Sequence, residues 1–122
     1  MRESIHKYLQ VGIVSFMAYP STIRGTDENL LGYLKKTVED DYFDAIEVTW
    51  IKDGALRAAA ADLLKASHLT VCYGAQPRLL TTGLNSCDVD EAGRAAAEAT
   101  LMEAIDEAEA LGAKGIAFLA GK

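Results

Sequence analysis

Four short β-rich runs alternate along the chain with three stretches of helical spacing, and this alternation restricts the fold more than any other feature of the sequence. The runs cover residues 11–16 (VGIVSF), 45–51 (AIEVTWI), 69–73 (LTVCY) and 115–119 (GIAFL), each bounded by turn formers. Between the first two, Leu30, Leu31, Leu34 and Val38 recur at helical spacing, with Lys35, Lys36 and Glu39 on the other side. Residues 55–66 place Leu56, Ala59, Ala60, Leu63 and Leu64 on one face. The third helix carries Leu101, Met102, Ile105 and Ala108 and stops at Gly112, a residue suited to a left-handed helix end. Strands separated by helices need crossover connections, so the sequence predicts an α/β fold of four parallel strands, in the order strand, helix, strand, helix, strand, helix, strand. No linker or composition break divides residues 1–122, which reads as one domain.

Helix starts are marked as well. Thr26 or Asp27 is expected to cap the first helix, Asp53 the second, and Asp88 with Glu91 resembles a capping box for the third. Compensation of the helix dipole accounts for Asp53, Asp88, Asp90 and Glu91 without a metal.

Charge and composition exclude several classes. Eighteen acidic residues against twelve basic ones give a net charge of −6, with no local cluster of Lys or Arg, which disfavours nucleic-acid binding. No apolar stretch approaches the roughly 20 residues of a membrane helix, and residues 1–10 lack the apolar core of a secretory signal. The expectation is a cytoplasmic chain with no membrane partner. Cys72 and Cys87 have no metal-type spacing and read as free thiols, Cys72 as a structural one. Signatures such as G-x-G-x-x-G, the Walker loop, H-E-x-x-H and G-x-S-x-G are absent.

Length narrows the architecture. A (β/α)8 barrel takes roughly 250 residues, so half of one needs about 125. A flavodoxin-like sheet would lack one strand and two helices. Residues 118–122 stop where a strand would hand over to a loop, and the expected architecture is half of a TIM barrel.

The segments Val11-Gly-Ile-Val-Ser-Phe, Phe43-Asp-Ala-Ile-Glu-Val and Leu111-Gly-Ala-Lys-Gly-Ile-Ala-Phe resemble the amino-terminal half of sugar phosphate isomerase/epimerase proteins, which are xylose isomerase-like TIM barrels. The resemblance covers nearly the whole chain. It implies a small-molecule sugar or sugar phosphate as substrate, and a divalent metal that polarises a carbonyl and a hydroxyl while carboxylates move a proton. The family's metal ligands lie on later strands, so it implies no metal bound by residues 1–122 alone and a fragment inactive by itself. An abasic-site nuclease relative would share the superfamily, but the negative charge opposes it.

In a barrel of this kind the site lies at the carboxyl ends of the strands. That geography sets His6 and His68, which precede strands, at the opposite end. Glu47 alternates with Ile46 and Val48, so it points away from the helices and is the candidate catalytic acid or base; it also matches the family's strand-two Glu. Ser15, Phe16 and Met17 end the first run, Thr49 and Trp50 the second and Tyr73 the third, and these form the candidate substrate-binding rim. Core packing competes with that role at each of them. Residues 74–87 read as a long loop in which Arg78 is positioned to meet a phosphate or carboxylate, against the plainer reading of a solvated arginine. Residues 18–25 form a second loop of the same kind. The rival to an enzyme is a non-catalytic binding module, in which exposed strand edges pair two copies as a homo-oligomer.

Overall fold

The computed structural model describes residues 4–121. Four strands, β1 (Gly12–Val14), β2 (Ala45–Val48), β3 (Thr70–Gly74) and β4 (Ile116–Ala117), form one sheet in sequence order, and all three pairings are parallel. Register aligns Ile13 with Ile46 and Val71, and Val14 with Glu47 and Cys72.

The period of two then sorts the faces. Ile46, Val48, Val71 and Tyr73 are buried against helices α2 (Leu30–Val38), α3 (Gly54–Lys65) and α5 (Glu91–Ala110), through Leu30, Leu34, Ala60, Leu64, Ala104 and Ala108. The other face carries Glu47 and Cys72, both half-buried, and has no such layer among the described residues. Alanine is what lets α3 and α5 lie close to the sheet; Ala60, Ala97 and Ala104 are each 0% exposed.

Several boundaries differ from those the sequence predicts. The first strand ends at Val14, because Ser15–Ala18 turns into a short helix, α1, followed by a 3-10 turn over Pro20–Arg24. The expected loop at 74–87 contains a helix, α4 (Gln76–Thr82), with Pro77 in its first turn and Gly83 ending it in the left-handed conformation at φ 72°. Both punctuation marks stand in the sequence, but seven residues are too few for a visible apolar period.

Caps shift by two residues at two of the three helices. Asn29, not Thr26 or Asp27, sits at the α2 start, and Asp27 instead accepts the Asn29 N–H at 2.8 Å. Asp90, not Asp88, caps α5 by accepting the Gly93 N–H at 3.1 Å. Asp53 caps α3 as expected, accepting the Leu56 N–H at 2.7 Å. Gly112 ends α5 with φ 74°.

At the amino ends of the strands, Asp44 accepts the Val11 N–H at 2.9 Å and meets His6 Nδ1 at 2.7 Å, contacts that hold its carboxyl below the usual range. His68 Nε2 bonds the Phe43 carbonyl at 3.0 Å. Both histidines therefore serve the end remote from Glu47. No helix among the described residues is long and apolar enough to cross a membrane.

Ile46 is 1% exposed at the centre of the helix-facing core. Ile46→Ala is expected to cost about 2 to 5 kcal/mol in urea unfolding, whereas Val89→Ala, at a fully exposed position, should stay within about 0.5 kcal/mol.

Candidate functional site

Glu47 is the one acidic residue on the sheet, and strand alternation alone puts it on the open face. Its side chain leans towards the carboxyl end of β3. A Cβ built on Gly74 would lie 2.6 Å from Glu47 Oε1, 2.7 Å from Gln76 Oε1 and 2.8 Å from the Phe16 ring. Three side chains thus converge over one glycine, from β2, from the start of α4 and from α1.

The polar atoms in this cradle are not spent on one another. Gln76 Oε1 is buried without a hydrogen-bond partner. Glu47 has no hydrogen bond or ion pair among the described residues. A half-buried carboxylate and an unsatisfied amide oxygen beside it form a site short of donors. Hydroxyl groups or a cation would satisfy it, and the Phe16 edge gives the same spot an apolar wall.

The remaining candidates separate by place. Met17 is 73% exposed at the rim, beside the cradle's Phe16 in sequence. Ser15 and Thr49 are buried, and Thr49 donates to the Gly74 carbonyl at 2.7 Å, so it ties β2 to β3 and fixes the glycine. Tyr73 does not join the rim. It is 0% exposed and shares the helix-facing side with Val71, as alternation from Gly74 requires. Trp50 does not join the cradle; partly buried, it packs against the helix-facing core. Its Nε1 donates to the Ile23 carbonyl at 2.8 Å, and its ring and carbonyl oxygen lie 3.2 and 2.9 Å from where a Cβ on Gly25 would sit, at a backbone φ of 69° that glycine adopts without strain.

Arg78 corrects the solvated reading. Its side chain is 9% exposed and sits 5.3 Å from the Trp50 ring centre, while Nη2 donates to Glu103 at 3.2 Å and Nη1 lies 3.7 Å from Glu107. Here the helix α4 that the sequence reading missed is decisive, since it turns the guanidinium inward between α5 and the β2 end.

Glu107 is the residue that sequence reasoning passed over. Its Oε1 accepts the Ile51 N–H at 2.6 Å, and its Oε2 lies 3.5 Å from Arg57. A signal was present: Glu107 falls one residue before Ala108 and three after Ala104, on the edge of the apolar stripe of α5. Burial pushes its carboxyl above the ordinary range, and the Ile51 N–H and the two guanidiniums only partly offset this. Burial raises the Tyr73 hydroxyl as well, with the Glu107 charge adding to it. A cleft of about 340 Å³ borders this network, but the charged groups lining it largely neutralise one another. The network positions α4, and through α4 it positions Gln76.

No protein-family model, curated protein or solved structure matches this chain.

Because the folded state holds the Glu107 proton at pH values where the unfolded chain has released it, this group's contribution to stability is greatest below its unfolded pKa and declines as pH rises through the folded one. Glu107→Gln keeps an oxygen for the Ile51 N–H and removes the titration. The stability of the wild type relative to Glu107→Gln, measured by urea unfolding, is expected to fall as pH rises above the ordinary carboxyl value of 4.5, and a pH-independent difference would contradict the assignment.

Proposed function

We propose that the chain is the amino-terminal half of a sugar or sugar phosphate isomerase/epimerase-like barrel, inactive alone, and that Glu47 is its contribution to proton transfer. The observation that carries this reading is the convergence of Glu47 and the unsatisfied Gln76 oxygen over Gly74, at the carboxyl end of a parallel sheet. Sequence-ordered parallel strands with helices packed on one face support an arc of a (β/α)8 barrel, in which this end carries the chemistry.

A sugar brings what the cradle lacks. Its hydroxyls donate to Glu47 and Gln76, and its apolar ring face fits Phe16. Isomerisation removes a proton from the carbon next to a carbonyl and returns it to the neighbouring carbon, epimerisation returns one to the opposite face of the same carbon, and a half-buried carboxylate is suited to accept and return it. The donor set does not by itself fit the divalent metal that the family resemblance implies. Three oxygens, two of Glu47 and one of Gln76, fall short of the roughly six such an ion takes, and no group of three or more His, Cys, Asp or Glu converges among the described residues. Glu47 and Gln76 are therefore read as binding and proton-handling groups.

Titration of a ketose phosphate into the isotopically labelled chain, followed by amide NMR shifts, tests this. Shifts are expected at residues 47, 74 and 76, and Glu47→Gln should weaken binding at least about tenfold, as loss of a hydrogen bond to a charged group does. Gly74→Ala, which crowds the same three side chains, should weaken it too. Shifts elsewhere only, or an affinity indifferent to both substitutions, would remove Glu47 from the site.

A further inference from the structure

The two polar atoms nearest the position over Gly74 are both acceptors. Glu47 Oε1 and Gln76 Oε1 lie 2.6 and 2.7 Å from where a Cβ on that glycine would sit, and neither has a hydrogen-bond partner among the described residues. The donors around them are spent. The Thr49 hydroxyl donates to the Gly74 carbonyl at 2.7 Å, and the Ala75 N–H donates to the Ala117 carbonyl at 2.8 Å.

A phosphate group asks for the reverse, free N–H donors and positive charge. The start of α4, next to the cradle, supplies few donors. Pro77 has no N–H, and the Arg78 and Leu79 N–H groups both donate to the Ala75 carbonyl, at 3.1 and 3.4 Å, which leaves at most the N–H of Gln76. The cations at this end of the sheet are committed elsewhere. Arg78 meets Glu103 and Glu107, Arg57 donates to the Ile51 carbonyl at 3.2 Å, and Lys52 Nζ lies 4.3 Å from the centre of the Trp50 ring. Glu47 itself carries the charge that repels an anion, in a chain of net charge −6.

We propose that the group held over Gly74 is an uncharged pair of neighbouring hydroxyls, and that the cradle therefore selects a free sugar over its phosphate ester. One hydroxyl donates to Glu47 and the next to Gln76, while the C–H face of the sugar lies against the Phe16 ring. The bond to the charged oxygen is the stronger of the two. A phosphate ester adds roughly two negative charges within one sugar length of Glu47 and brings no donor in exchange. This inference rests on the reading of Glu47 and Gln76 as sugar-binding groups, and it adds the charge of what they bind.

Amide NMR titrations of the chain with fructose, with fructose 6-phosphate and with inorganic phosphate, at about 10 mM salt where screening is weak, test this. Both sugars are expected to shift residues 47, 74 and 76, with the free ketose binding at least about fivefold tighter, and inorganic phosphate should leave those residues unmoved. Raising the salt to about 300 mM should narrow the gap between the two sugars, a measurement that needs no substitution. Glu47→Gln, checked for folding by circular dichroism, removes the repelling charge and should narrow it as well. A phosphate ester that binds as tightly as the free sugar, a gap indifferent to salt, or shifts at these residues with inorganic phosphate would overturn the selectivity and leave the sugar-binding reading in place. If neither sugar shifts them, the reading and the inference fall together.

Discussion

The alternation Ile46, Glu47, Val48 is the constraint from which the rest of the structure follows. Ile46 and Val48, 1% and 2% exposed, can be buried only against helices, and once they are, Glu47 is committed to the other face. A slip of one residue would drive a carboxylate into an apolar core and expose two large aliphatic side chains. Register with Val71 and Tyr73 carries the same choice into β3, where Gly74 then falls under Glu47. One strand of four residues thereby fixes the direction of the core, the position of the candidate acid and the place where a glycine is required.

That constraint is local, which is why it was legible. Period two in the strands and period 3.6 in α2, α3 and α5 are properties of neighbouring residues, and they give the element order, the parallel sense and the side on which Glu47 lies. What the sequence concealed depends on contacts between distant segments. Arg78 looks like a solvated loop residue until α4 folds it beside Glu103 and Glu107, twenty-five and twenty-nine residues on. Tyr73 ends a strand and so resembled a rim residue, but its parity with Val71 assigns it to the helices; here alternation was available and outweighs position along the strand. Gln76 carries no signal by itself, because an unsatisfied oxygen is defined by the absence of partners in space.

Glu107 links these layers. A buried carboxylate is costly unless its lone pairs are used, and this one takes the Ile51 N–H just past β2 on one oxygen and two guanidiniums on the other. Because Arg78 belongs to α4 and Arg57 to α3, the same carboxylate sets both helices against the β2 end. Thr49 adds a shorter tie, from the residue after β2 to the Gly74 carbonyl. Glu47 keeps partial access to solvent, but Gly74, Phe16 and the Gln76 oxygen around it are buried, so Gln76 and Gly74 are held in place without a hydrogen bond from Glu47 itself.

This separation of anchor from reactive group decides how Glu47 can behave. A carboxylate with no protein donor is tolerable only while water reaches it, and the open face of a four-stranded sheet supplies that water. A ligand seated on that face displaces the water and must supply donors of its own. Hydroxyl groups of a bound ligand are then the natural partners of Glu47. Loss of that water leaves the half-buried carboxylate dependent on donors from a ligand, and a polyol offers several.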